Sequence, residues 1–384
     1  MNILTLLNSL EVAAVGIFIF SFLVSYLVLP GIIYVVKYRN LMDNPNERSS
    51  HFDRTPTMGG IAFYVSVIFT IFFIKNYDSD YMAVNMVSGI SMMFFLGLKD
   101  DLAGVNPSTK IIGQILGTFI LFFGTELHIQ SLDNFLWINE IPYWISIFFS
   151  CFIVMSIVNS FNLIDGINGS AAMVGIVIFT CFAYVFYMSE NDYYLLFSFL
   201  CIGFLLAFLR YNLSSKKKIF MGDTGSMVVG FIIGALALKY LSLDPFELKK
   251  AHINPENKMW VLLAIVFIPF FDTTRVFITR TIRHGKPFKA DRNHIHHVMI
   301  DYVGLSHGKA SLLLAFINLI IFALILYFNT FFSSIYLFIC LFFIFIGLVL
   351  ILFYFNKNYI TRKSKQKIRK ILNTSVLNNN KPKK

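Results

Sequence analysis

The sequence predicts an all-α integral membrane protein of about eleven transmembrane helices, with its N-terminus outside, its C-terminus in the cytoplasm and its chemistry on cytoplasmic loops. Three observations predict it. The 384 residues are 57% hydrophobic and 14% charged, with a mean hydropathy of +0.69, whereas a soluble domain carries about 25% charged residues. Polar residues form short islands between apolar runs, each run close to the ~20 residues that cross a hydrocarbon core. Lys and Arg gather in alternate islands and in the tail, the bias that orients membrane spans.

The apolar runs fall at 11–36, 59–75, 81–98, 111–127, 143–160, 170–188, 193–211, 224–243, 259–278, 310–328 and 334–355. Backbone groups in lipid must pair within their own segment, so these runs are read as helices. The first lacks a basic leader and is too long for the apolar stretch of a signal peptide. No internal repeat suggests the two halves of a transporter. The chain reads as one catalytic membrane domain over 1–356, followed by a basic cytoplasmic tail over 357–384.

Lys37, Arg39, Arg48 and Arg54 lie between the first two runs, Lys216, Lys217 and Lys218 between the seventh and eighth, and Arg280, Arg283, Lys286, Lys289 and Arg292 between the ninth and tenth. The loops at 76–80, 126–142 and 189–192 are acidic or neutral, and 243–258 is mixed. The net charge of +11 is thus mainly topological, and its spread over several loops argues against a nucleic-acid partner. The tail can also touch anionic lipid, at about 1 kcal/mol per basic residue near the surface. Cys151, Cys181, Cys201 and Cys340 all fall in apolar runs without a CxxC pair and read as packing residues.

Five islands carry chemistry, all on the predicted cytoplasmic side. In the first, residues 43–60, Pro56 and Gly59-Gly60 build a tight loop before a helix, which puts Arg54 near a helix N-terminus where an anion is favoured; a plain positive-inside loop is the other reading. In the second, Asp100 and Asp101 end an otherwise apolar helix. Acids at a helix C-terminus oppose the macrodipole, so at the edge of lipid they need a cation or a basic partner. In the third, Asn162, Asp165 and Asn168 recur every three residues beside Gly166 and Gly169, a pattern suited to hydroxyls, a base or a metal shell.

The fourth island, Phe220-Met-Gly-Asp223-Thr-Gly-Ser226, sets a carboxylate between two glycines. Mg²⁺ usually takes one or two carboxylates plus substrate phosphates, and Asp223 is placed to be one. Phe220 is either a stacking face for a base or lipid-facing packing. The fifth holds His294, His296 and His297 with Lys286, Lys289 and Arg292. Zinc is the competing reading, but no cysteine accompanies these histidines, the cations would repel the ion, and no His-Glu-x-x-His exists. Scattered acids, a glycine-bounded Asp and a basic histidine loop together read as a Mg²⁺–diphosphate site, because phosphoryl transfer is mainly positioning and charge neutralisation. No P-loop is present.

In that order, Pro45-Asn…His51…Thr55-Pro-Thr-Met-Gly-Gly60, Gly97-x-x-Asp-Asp101, Lys110-x-x-x-Gln114, Asn162-Leu-Ile-Asp-Gly166, Phe220-Met-Gly-Asp-Thr-Gly-Ser226 and Asp291-Arg-x-His-x-His-His297 make the chain resemble the polyprenyl-phosphate N-acetylhexosamine-1-phosphate transferases. The motifs span about 30–330 and are specific as an ordered set. The resemblance implies transfer of a sugar 1-phosphate from a UDP-N-acetylhexosamine, foremost UDP-GlcNAc, to undecaprenyl or another polyprenyl phosphate. UMP leaves, and a lipid-linked cell-envelope polysaccharide such as that of lipopolysaccharide is begun at a bacterial inner membrane. It implies Mg²⁺, or alternatively Mn²⁺, at Asp223 and Asp101. Asp100 is the proposed base, with Asn162 and Asp165 in the catalytic cleft. Phe220 and Asn212 are implied at the uridine, Arg54 and Lys110 at phosphates, and Asn168, Arg292, His294, His296 and His297 at the sugar diphosphate. Asn168 and Ser170 stand where the family commonly has Asp and Leu.

The expected reaction is in-line attack by the lipid phosphate on the β-phosphorus. A phosphate monoester with a second pKa of about 6 is largely dianionic at pH 7, so Asp100 can serve to position a cation instead of taking a proton. A covalent phospho-Asp route is the alternative mechanism. The phospho-N-acetylmuramoyl-pentapeptide transferases of peptidoglycan synthesis are the second branch, and a lipid or solute transporter is the reading from another class. A homodimer through the first and last spans is a further expectation.

Overall fold

The computed structural model describes residues 9–43, 54–78, 82–125, 127–284 and 294–355. Most of the described residues are helical. The order is α1 (Leu10–Tyr38), β1 (Met42–Asp43), β2 (Thr55–Pro56), α2 (Gly60–Ile74), α3 (Met82–Ala103), α4 (Pro107–Phe122), β3 (Ser131–Phe135), β4 (Ile138–Glu140), α5 (Tyr143–Ile164), α6 (Ser170–Met188), α7 (Asp192–Asn212) and α8 (Gly222–Ser242). It continues with α9 (Pro245–Lys250), α10 (Lys258–Ile265), α11 (Phe267–His284), α12 (Ile295–Val298), α13 (His307–Phe328) and α14 (Ser334–Phe355).

Among the described residues nine helices are long and apolar enough to cross a membrane, so this is a multi-pass membrane protein. The other two expected runs look different. Run 111–127 is the shorter α4, followed by a β-hairpin of β3 and β4 where a plain loop was expected. Lys258 clamps the hairpin by donating to the Asp133 carboxylate and, at 3.0 Å, to the Leu241 carbonyl.

Run 259–278 is not one straight span but α10 and α11, bent by 75°. The cause is local. Pro269 has no N–H to give Ile265, four residues back. Asn318, fully buried on α13, supplies the lost partner by donating to the Ile265 carbonyl at 2.8 Å, and it accepts from the Ile268 N–H at 2.9 Å.

The core centres on α8, whose apolar window is 94% buried. Without a hydrophobic drive between helices in lipid, close packing of small residues binds them. On α8, a Cβ at Gly230 would lie 2.9 Å from the Cα of Val158, and one at Gly234 would lie 2.9 Å from a Val154 methyl, so α5 and α8 touch nearly backbone to backbone. The same logic holds α1 against α2, where the Ser66 hydroxyl donates to the Ser21 carbonyl at 2.9 Å. Cys151, Cys181 and Cys201 are buried free thiols and Cys340 is a half-buried one.

Candidate active site

The N-terminus of α8 is where four of the five islands meet. Asp101 ends α3, and its carboxylate accepts from the Asp223 N–H at 2.9 Å, the Thr224 N–H at 3.0 Å and the Thr224 hydroxyl at 2.6 Å. An acid that opposes its own helix dipole is thus spent on the positive end of another helix. Gly222 makes this approach possible. Its φ is +72°, and a Cβ there would sit 2.5 Å from the Asp101 carboxylate. Two more glycines bring neighbouring backbones in: a Cβ at Gly60 would lie 2.2 Å from the Gly225 nitrogen, and one at Gly97 would lie 2.6 Å from the Thr224 Cα. The first island is zipped onto the fourth by Phe220 N–H to Pro56 O (2.8 Å), Gly59 N–H to Phe220 O (2.9 Å) and Gly60 N–H to Met221 O (3.1 Å).

Asp223 then faces a mixed set of groups. Asn162 donates to its Oδ1 at 2.6 Å and to the Ser226 hydroxyl at 2.7 Å. The Lys110 ammonium lies 3.2 Å from the same Oδ1 and pairs with the Asp100 carboxylate. The other Asp100 oxygen accepts from the Val105 N–H at 2.7 Å. One helical turn deeper than Asn162, the Asn159 amide donates to the Oε1 of buried Gln114 at 2.9 Å, which fixes α4, and so Lys110, against α5. Asp165 completes the cluster. Burial, and then the charges of Asp223 and Asp101, push its carboxyl well above the usual aspartate range.

On the other flank stands the histidine island. His294 Nδ1 is 2.8 Å from Asp272, and its Nε2 is 3.3 Å from the Arg280 guanidinium. The rings of His294 and His296 stack at 5.6 Å and 7°, with His297 at 4.4 Å from His296. His296 Nε2 presses on Gly166, where a Cβ would lie only 2.1 Å away. Burial drives the His296 imidazole down to about 3, so this ring is neutral near pH 7.

The sequence profile described as Glycosyl transferase family 4 matches residues 82–241, the segment from α3 through α8 that carries every acid of the cluster. Over that segment the chain is similar to glycosyl transferase family 4. It is 27% identical over 307 residues to an undecaprenyl-phosphate alpha-N-acetylglucosaminyl 1-phosphate transferase of Escherichia coli strain K12, covering 78% of each chain. Identity is 28% over 344 residues with a probable undecaprenyl-phosphate N-acetylglucosaminyl 1-phosphate transferase of Bacillus subtilis, covering 86% of this chain and 90% of that one. It is also 28% over 301 residues with a decaprenyl-phosphate N-acetylglucosaminephosphotransferase of Mycolicibacterium smegmatis, covering 70% and 71%.

Within the segment that matches the family profile, the structure gathers Asp100, Asp101, Lys110, Asn162, Asp165 and Asp223 around one helix end. His296 is set beside them through Gly166. Phe220 is half-buried, with the Lys218 ammonium 4.9 Å from its ring centre. Two of the implied residues also hold the fold together. Asn212, implied at the uridine, is 3% exposed, and its amide is taken up by the Gly169 N–H at 2.5 Å and the Ile219 carbonyl at 2.8 Å, so it staples the third island to the fourth. Asn168 is tied by its backbone to α13, accepting from the Ser311 hydroxyl at 2.9 Å. Arg54 directly precedes β2, is exposed, and makes no ion pair with the cluster among the described residues. Arg292 and His51 lie outside the described residues.

Asp272 is the site residue that the motifs miss. Its signal is in the sequence, since an acid inside an apolar run is a functional candidate by default.

Proposed function

We propose that the protein transfers N-acetylhexosamine 1-phosphate, foremost GlcNAc 1-phosphate, from its UDP-sugar to undecaprenyl phosphate, releasing UMP. The observation that carries this reading is the convergence of Asp101, Asp165 and Asp223 with Lys110 at one helix end. Relatives named for this transfer match along most of their own length. The Lys and Arg bias supports a cytoplasmic position for that end, where a nucleotide sugar is found and a lipid phosphate keeps its head at the interface. A bacterial inner membrane is the setting these substrates require, and the product begins a lipid-linked envelope polysaccharide.

Magnesium fits the donor set. The charges of Asp223 and Asp101 raise the proton affinity of Asp165, and acids crowded in this way favour a cation beside them. Magnesium usually takes one or two carboxylates and completes its shell with water and substrate phosphates. Asp223 would hold it, with Asp101 shaping the turn that presents Asp223 and Asp165 adding charge. When bound, the ion neutralises charge on the donor diphosphate. Asn162 fixes the Asp223 carboxylate. Asp100, bonded to Lys110 and a backbone N–H, positions that ammonium at the phosphates, and the dianionic acceptor needs no base. Neutral His296 can donate to a phosphate oxygen or accept from a sugar hydroxyl.

The test is conversion of radiolabelled UDP-GlcNAc and undecaprenyl phosphate by purified protein with Mg²⁺. Lipid product and UMP in equal amounts are expected, with no turnover by a folded Asp223→Asn variant. No product with any UDP-N-acetylhexosamine would refute the function, and turnover by Asp223→Asn would refute the metal assignment.

A further inference from the structure

A carboxylate unused by that chemistry lies at the root of the histidine island. Asp272 is 1% exposed and stands on α11, just past the helix break. Its Oδ1 accepts from the Ile295 N–H at 2.7 Å and from Arg275 at 3.0 Å, and its Oδ2 faces His294 Nδ1 at 2.8 Å. Across the same ring, His294 Nε2 is 3.3 Å from an Arg280 nitrogen. A guanidinium only donates, so Nε2 is the acceptor, and the single proton of a neutral His294 sits on Nδ1, aimed at Asp272.

One carboxylate therefore sets the tautomer of His294, anchors Arg275 directly and Arg280 through the ring, and pins the first N–H of the turn that carries His296 and His297. From His294 the contacts run on by ring stacking to His296, and from His296 to Gly166, the neighbour of Asp165. His296 is 1% exposed, and its Nδ1 is buried without a hydrogen-bond partner. A buried polar atom left unpaired costs about 1–3 kcal/mol, so Nδ1 favours a polar partner, an acceptor or a donor according to its tautomer.

We propose that Asp272 is a positioning residue for the transfer: by fixing the Nδ1–H form of His294 it registers Arg280 and His296 against the Asp165 turn, where the sugar diphosphate is bound. This rests on the transferase reading above. A purely structural Asp272 would tolerate asparagine, whose Oδ1 still accepts from Ile295 and Arg275. The asparagine amide, however, donates to Nδ1 and forces the His294 proton onto Nε2, against Arg280.

The experiment compares Asp272→Asn, Asp272→Glu, His294→Gln and the Asp272→Asn/His294→Gln double variant with the wild type, in the transfer assay and by thermal melting. Asp272→Asn is expected to melt like the wild type yet lose about 100-fold in kcat/KM for UDP-GlcNAc, the scale of an ångström-level misplacement. Asp272→Glu should recover most of it, and the double variant should be no worse than the worse single variant. A folded Asp272→Asn with wild-type kcat/KM overturns the proposal, and so do losses that multiply in the double variant. If Asp272→Asn does not fold, His294→Gln, which removes the Nδ1–H donor, carries the same test, and wild-type kcat/KM in it overturns the proposal. If the wild type forms no lipid product, the functional reading fails separately. The shift in melting that UDP-GlcNAc gives wild type and Asp272→Asn then decides, with weaker protection of the variant expected and equal protection overturning the proposal.

Discussion

Asp165 shows how a single side chain reports on the state of the cluster. Its folded-state pKa is raised by burial and by the charges of Asp223 and Asp101. Between the ordinary aspartate value and that raised value the folded protein holds a proton that the unfolded chain has released. Stability therefore falls as pH rises through this window. With divalent cations chelated, the melting temperature of the wild type should drop from mildly acidic to neutral pH, and Asp165→Asn should flatten that slope. Melting curves over pH with EDTA check this, and an unchanged slope in the variant would remove Asp165 as its source. At this scale much was legible in the sequence: paired acids ending an apolar helix and an Asp between glycines announce themselves by type and place. The partner of Asp101 did not, because the N–H groups that it caps lie 122 residues away. Nor did the spent amide of Asn212, since only the fold shows which polar atoms are already satisfied.

Among the elements, α10 and α11 show what hydropathy conceals. The run from Val261 to Phe271 is apolar throughout, so a window average reads a straight span. Pro269 weakens one turn, but the 75° bend also needs Asn318 on α13 to satisfy both orphaned backbone groups. Asn318→Leu should leave the Ile265 carbonyl and the Ile268 N–H unpaired, at about 1–3 kcal/mol each. A fall in melting temperature in detergent, with loss of transfer, is the expected result. Wild-type melting and rate in Asn318→Leu would mean that the bend does not depend on it. The β3–β4 hairpin was hidden for a related reason. Its strands are five and three residues long, too short for a clear alternation, and Lys258, whose ammonium holds it, comes 125 residues later.

For the whole molecule, the apolar runs, their approximate ends and the gathering of the motifs at one end of the bundle followed from composition and charge alone. The packing order around α8 did not, because glycine contacts are set by partners and not by period. The orientation can be read directly. Ser215 sits beside Lys216–Lys218 in the short connection between α7 and α8. With the native cysteines replaced, Ser215→Cys should react with a membrane-impermeant maleimide in inverted vesicles and stay protected in intact cells. Labelling in intact cells would turn the molecule over and move the proposed chemistry outside.

The brevity of α4 has a mechanical consequence for the acceptor. Its 16 residues rise about 24 Å, some 6 Å short of the ~30 Å hydrocarbon slab. Lipid beside a short helix thins to match it, at a fraction of a kcal/mol per Å. Lys110 lies in the first turn of α4, paired with Asp100 and within reach of Asp223. Under the proposed function, thinning of the leaflet at this edge would let a lipid phosphate approach the carboxylates without its tail leaving the membrane.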